Sequence, residues 1–197
     1  MKTLASYCAE ILKLLGQPTR INIIEKLRDA PSGELFVSEI SSQTGEEQSN
    51  TSRHLSLMVA NGILLNRKEV PKCLYKIKGP EILEILNLAA KASQGVSAAD
   101  TLKALGQAER IKIAEVLGDK ELSASEISSA INGKQSNTSR HLTFMVENGL
   151  LTNRREGAKS LFAVRSPEIM IIIETVKRVM ELETRQRQEQ ILSGCTL

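Results

Sequence analysis

Aromatic side chains are nearly missing from this 197-residue chain, which has no Trp, two Tyr and three Phe. Proteins that hold single-stranded nucleic acid by stacking bases on exposed rings need more than this, so that class is disfavoured, whereas groove reading of a duplex is left open. An excess of one charge is also lacking, since 26 Lys and Arg against 23 Asp and Glu leave a formal net charge of only +3. Cysteine is scarce: Cys8, Cys73 and Cys195 form an odd set without a Cys-x-x-Cys pair. Neither a disulfide framework nor a zinc ribbon is therefore encoded, and a reducing cytoplasm is the expected compartment. Long apolar runs are absent too. The greasiest stretch, Ile169 to Ile173, is five residues where a membrane span takes about 20, and no signal peptide or membrane contact is expected. What remains, 41% hydrophobic and 25% charged residues, is enough to bury a core in one medium domain or in two small ones of about 100 residues each.

The sequence repeats itself. Gln48–Arg67 aligns with Gln135–Arg154 at an offset of 87, with 15 of 20 positions identical; the differences fall at Ser56/Thr143, Leu57/Phe144, Ala60/Glu147, Ile63/Leu150 and Leu65/Thr152. The match extends back through Ser38–Ser42 and Ser125–Ser129, and forward to Pro80-Glu81-Ile82 and Pro167-Glu168-Ile169. Closer to the N-terminus the offset is 90, pairing Leu15-Gly16-Gln17 with Leu105-Gly106-Gln107 and Arg20-Ile21 with Arg110-Ile111. The first copy thus carries three extra residues near Ala30-Pro31-Ser32-Gly33, a loop composition that tolerates insertion. Two domains are expected, residues 1–93 and 96–192, each long enough to fold around its own core.

Within a copy, apolar residues follow a helical period. Leu4, Cys8, Ile11 and Leu15 make one stripe, and Ile21, Ile24 and Leu27 make a second after Pro18, which suits the first turn of a new helix. Val37 and Ile40 open a short third helix closed by Gly45, and Gln48–Asn61 forms a fourth with Leu55, Met58 and Val59 inward and Gly62 as its left-handed cap. The pattern then changes to two short strands, Ile63–Leu65 and Leu74–Ile77, around a turn at Val70-Pro71, and Pro80 opens a fifth helix through Leu88. The last helix of the second copy presents Ile169, Ile172, Ile173, Val176, Val179 and Met180 on one stripe, and its polar continuation, Glu183–Gln190, is expected to fray.

Three ordered motifs carry a family likeness: Leu-Gly-Gln-Pro-Thr-Arg-Ile at 15–21, Glu-Leu-Phe-Val-Ser-Glu-Ile at 34–40, and Gln-Ser-Asn-Thr-Ser-Arg-His-Leu at 48–55 followed by Asn61-Gly62. The chain resembles the ArsR/SmtB type of transcriptional regulator over most of both copies. That resemblance implies a mainly α fold with small β-hairpin wings, two tandem winged helix-turn-helix domains, DNA contacts from the fourth helix, and pairing through the first and last helices. Members that sense metal carry cysteines where this chain has Phe36 and Ser38, or Ser123 and Ser125. They also pair Asp with His on the terminal helices, which here offer Glu81, Glu84, Glu168 and Glu174 without histidine. Neither a metal nor a cofactor is expected.

Helical geometry places Gln48, Ser49, Ser52, Arg53 and Ser56 on one face, opposite Leu55, Met58 and Val59; Gln135, Ser136, Ser139, Arg140 and Thr143 repeat the arrangement. Gln can pair with adenine, Ser with base or phosphate, and Arg with guanine or the backbone. Asn50 and Asn137 complete each set. A polar face is ordinarily just solvated, yet here it is kept identical between copies while the core beside it varies, Leu57 against Phe144. Arg53–Lys78 holds six Lys or Arg against Glu69 alone, and Arg140–Arg165 holds five against two acids. Arg67, Lys68, Lys72, Arg154, Arg155 and Lys159 are accordingly expected on wings beside the minor groove or flanking phosphates. His54 and His141 occupy equivalent places and read as boundary residues packed on their own unit or touching phosphate, the alternative being a metal or pH role. Cys8 and Cys73 read as inert thiols, or as sensors of oxidants.

The functional expectation is a double-stranded DNA-binding transcriptional repressor. It acts as a single-chain pseudo-dimer with recognition helices about 34 Å apart, or as a homodimer through its terminal helices. The alternative is a winged-helix scaffold for protein docking. No Gly-rich phosphate loop and no paired nucleophile and base are present, so no enzymatic activity is expected.

Overall fold

A computed structural model of the chain describes residues 3–93 and 95–192; Cys195 lies outside them. The elements run α1 (Leu4–Leu15), α2 (Pro18–Asp29), β1 (Glu34–Phe36), α3 (Val37–Thr44), α4 (Gln48–Ala60), β2 (Leu64–Glu69), β3 (Lys72–Ile77) and α5 (Pro80–Ala92). The series then returns as α6 (Ala98–Leu105), α7 (Ala108–Leu117), β4 (Leu122–Ser123), α8 (Ala124–Ala130), α9 (Gln135–Glu147), β5 (Leu151–Glu156), β6 (Lys159–Val164) and α10 (Pro167–Leu192). Each series has the order of a winged helix-turn-helix, with a helix pair (α3–α4, α8–α9) ahead of a hairpin.

Packing divides the chain into two compact units that do not follow the repeat boundary. One comprises residues 17–84, and the other residues 1–16 together with 85–197. In the first unit, α2, α3 and α4 pack in sequence order against one another, and α2 and α4 also touch the sheet. Ile23, Ile24, Leu27, Ile40, Leu55, Met58 and Leu64 are buried there. The sheet is antiparallel with order β1-β3-β2, Leu35 facing Tyr75 and Arg67 facing Leu74. The second unit repeats that sheet as β4-β6-β5 and adds a helical layer in which α1 packs on α6, α7 and α10. Cys8, Leu12, Leu15, Leu102, Leu105, Ile172 and Val176 are fully buried, each large aliphatic among them contributing about 1.5–3 kcal/mol of transfer free energy.

Local chemistry explains the element starts. Thr3 and Ser97 cap α1 and α6, their hydroxyls accepting from the amides of Ser6 and Asp100. Ser123 and Glu126 form a reciprocal capping box on α8. The first copy retains only the half in which the Phe36 amide donates to Glu39, at 2.7 Å, because a phenyl ring cannot accept the return bond. Pro18, Pro80 and Pro167 stand first in α2, α5 and α10, where a missing amide hydrogen costs nothing.

Several expectations are corrected by packing. Leu4 belongs to the apolar periodicity of α1 but is 44% exposed; the face that packs is Ala5, Cys8, Leu12 and Leu15, one helical step away. Val59 is only half-buried, and Thr51 and His54 are inside instead. Strands β1 and β4 are additions, too short at three and two residues to show an alternating pattern. Helix α5 continues to Ala92, and α10 runs through the polar segment 183–190 to Leu192, whose Glu, Arg and Gln are good helix formers.

Candidate nucleic-acid interface

Helices α4 and α9 begin with the same eight residues. Leu55 and Met58, and likewise Leu142 and Met145, anchor them in their units, and Gly62 and Gly149 end them at φ of +70° and +71°, a conformation glycine adopts without strain. With the inner face pinned, the opposite face is set. Gln48, Ser49 and Arg53 are exposed, and Asn50 and Ser52 are half-buried. In the second copy Gln135, Ser136, Asn137, Ser139 and Arg140 are all exposed. The expected polar positions therefore lie together on one side of each helix, with Thr51 and Thr138 turned inward.

The copies differ at the helix start. Glu46 reaches over α4, its carboxylate accepting from the Asn50 amide at 2.6 Å and the Thr19 hydroxyl at 3.3 Å. Glu46, Glu47, Ser49, Asn50 and Arg53 line a cleft of about 430 Å³. At the corresponding places the second copy has Gly133 and Lys134.

All six wing residues, Arg67, Lys68, Lys72, Arg154, Arg155 and Lys159, are exposed. They are not equally free. Arg67 is ion-paired to Glu34 at 2.8 Å and to Glu69 at 3.3 Å. Arg154 repeats this with Glu121 at 2.7 Å and Glu156 at 3.2 Å. These hydrogen bonds raise the pKa of both guanidinium groups and lower those of Glu34 and Glu121. Lys72 stands 5.2 Å above the Phe36 ring, a cation–π contact. Among the described residues Lys68, Arg155 and Lys159 make no ion pair or ring contact, although the Lys159 charge helps to lower the pKa of Glu126.

Sequence reasoning missed two arginines packed beneath α4 and α9, the half-buried Arg20 and the buried Arg110. The Arg20 guanidinium donates to Nδ1 of His54 at 3.4 Å. Its counterpart Arg110 is 7% exposed, lies 4.4 Å over the Phe144 ring and donates to the Lys103 carbonyl at 3.4 Å. Burial first, then the neighbouring arginine, push both His54 and His141 below the ordinary imidazole pKa. The available signal was the repetition of Arg-Ile at 20–21 and 110–111, but arginine is usually exposed, so its burial could not be read from type. Among the described residues no cluster of three His, Cys, Asp or Glu could hold a metal ion, and no helix is long and apolar enough to cross a membrane.

The sequence profile of a bacterial regulatory protein family, arsR, matches residues 17–64 and again residues 108–153. The HTH-type transcriptional regulator Rv0081 of Mycobacterium tuberculosis is 36% identical over 107 residues, covering 51% of this chain and 90% of that protein. The transcriptional activator HlyU of Vibrio cholerae is 32% identical over 94 residues, covering 48% and 87%. Among solved structures, reduced HlyU matches with 34% identity over 42% of this chain and 86% of that one, at a TM-score of 0.39. Rv0081 matches with 33% identity over 46% and 89%, at 0.41. From the doubled motif and these relatives, the chain belongs to the arsR family of bacterial regulatory proteins and carries that family's DNA-binding helix-turn-helix segment twice.

Proposed function

We propose that the protein is a cytoplasmic, sequence-specific repressor that works as a single-chain pseudo-dimer, α4 and α9 each entering a major groove of one duplex. The observation that carries this reading is the outward polar face of Gln48, Ser49, Asn50, Ser52 and Arg53, with Asn50 and Ser52 half-buried, kept identical as the exposed Gln135, Ser136, Asn137, Ser139 and Arg140. Gln and Arg would read base edges, the short Ser and Asn would let the helix approach, and the wing residues Arg67, Lys68, Lys72, Arg154, Arg155 and Lys159 would bind phosphates. Repression follows most simply from occupying DNA that polymerase needs. The pseudo-dimer draws support from the second compact unit, where α1 of the first copy packs on its counterpart α6 and on α10. One chain thereby pairs helices that the family takes from two. The second copy is the stronger binder in this proposal, since Glu46 and Glu47 repel phosphate where Gly133 and Lys134 do not.

A footprint on genomic fragments tests the arrangement. One chain acting as a pseudo-dimer protects about 20 base pairs, and two chains joined through terminal helices protect about twice that. In gel shifts with the footprinted fragment, Arg140→Ala costs more affinity than Arg53→Ala; equal losses overturn the asymmetry. Contacts to roughly six phosphates give a slope of log affinity against log salt near −5. A salt-insensitive complex, or one indifferent to both arginines, would instead favour a protein-docking scaffold.

A further inference from the structure

Beside α9, a cleft of about 410 Å³ is lined by Gln107, Arg110, Asn137, Arg140, His141 and Phe144. Arg110 is more than nine-tenths buried, and its Nε–H has no hydrogen-bond partner. Among the described residues no carboxylate comes within ion-pair distance of it; Glu109, next to it in the chain, acts on it only through space. A buried guanidinium without a carboxylate at ion-pair distance is costly, and the usual remedy is an oxyanion. The first copy carries a carboxylate of its own beside the residues equivalent to Asn137 and His141. There Glu46 bonds to Asn50 and Thr19, and its charge acts on His54. In the second copy Gly133 stands in place of Glu46 and Glu109 in place of Thr19, and among the described residues the exposed amide of Asn137 has no partner.

We propose that this cleft of the second copy is an oxyanion site that takes a phosphate group, held by Arg110, Arg140, His141 and Asn137, where the first copy uses its own Glu46. The phosphate can come from solution or from a DNA backbone, the chemistry being the same. The site goes beyond groove reading and can be assayed without DNA.

The test uses the full chain and the ring resonances of its two histidines. Sodium phosphate is titrated against sodium chloride at matched ionic strength. The groups facing His141 are Arg110 and Glu109 on α7 and Arg140 on α9, so an anion among them raises its midpoint of titration. The expected result is a saturable shift at His141 with phosphate alone, and none at His54. Gly133→Glu, which restores the first copy's carboxylate at an exposed position, weakens that response about tenfold. Glu46→Gly creates one at His54. A second arm adds duplex DNA in chloride. A His141 shift there that free phosphate competes away shows that both sources fill the site. A shift with duplex alone, again weakened by Gly133→Glu, assigns the site to the DNA backbone. The proposal is overturned if neither arm moves His141, if chloride matches phosphate, or if Gly133→Glu leaves the response intact.

Discussion

A Cβ placed on Gly16 would come within 2.5 Å of the amide nitrogen of Lys103, and one on Gly106 would come within 2.8 Å of Cβ of Lys13. The two contacts are equivalents of each other, because Gly16 corresponds to Gly106 and Lys13 to Lys103 in the repeat. Reciprocity of this kind characterises an isologous interface between identical subunits; here it lies inside one chain.

Gly16→Ala and Gly106→Ala therefore each force backbones apart, and both are expected to destabilise by about 1–3 kcal/mol in urea unfolding, as overpacked sites do. Gly33→Ala is the control. Nothing lies within 4 Å of its Cβ position, and only its φ of +68° resists the change, at a cost of about 1 kcal/mol. Similar losses at all three positions would refute the close approach.

Stability is expected to fall on mild acidification. His54 and His141 have lowered pKa values in the folded chain, chiefly from burial, so the unfolded chain binds more protons. The stabilising contribution is complete above the unfolded value of about 6.5 and is lost as pH falls through the folded values. Carboxylates held down by their partners, such as Glu34 and Glu121, act only below about 4.5. Urea midpoints measured from pH 7.5 down to about pH 5 thus isolate the histidines, and the doubly substituted His54→Gln/His141→Gln chain gives a flatter profile.

Glu46→Gln removes a charge at the entrance to α4 and loosens the hold on Asn50. Binding to an operator fragment should tighten about two- to fivefold at low salt and converge with the wild type at high salt, because the gain is electrostatic. A gain that persists at high salt would point to the freed Asn50 amide instead.

On the wing, Glu121→Ala releases Arg154 from its strongest partner. The pair is exposed, so the unfolding midpoint should hardly move. The salt slope of DNA binding should steepen by about one unit as the arginine becomes available to a phosphate. An unchanged slope would mean that Arg154 stays on Glu156 and does not reach DNA.

Much of the candidate interface was legible because it rests on local pattern. The repeated Gln-Ser-Asn-Thr-Ser-Arg-His-Leu, the inward Leu55 and Met58, and the glycines at 62 and 149 fix a helix, its faces and its end within a few turns of sequence. The tie of Asn50 to Glu46 spans four residues and followed from no pattern. The ion pairs of Arg67 with Glu34 and of Arg154 with Glu121 join residues 33 apart, which only sheet register brings together.

The sequence by itself determined the duplication, the winged helix-turn-helix order and the polar face of each recognition helix, since periodicity and caps act over short separations. Tertiary structure alone decided that α1 joins the second copy's helices in one compact unit, that Leu4 faces out while Thr51 and His54 face in, and that Arg110 is buried with, among the described residues, no partner for its Nε–H. Each of those outcomes depends on which surface arrives from a distant part of the chain, and a side chain's type carries its preference for burial but not the identity of what will cover it.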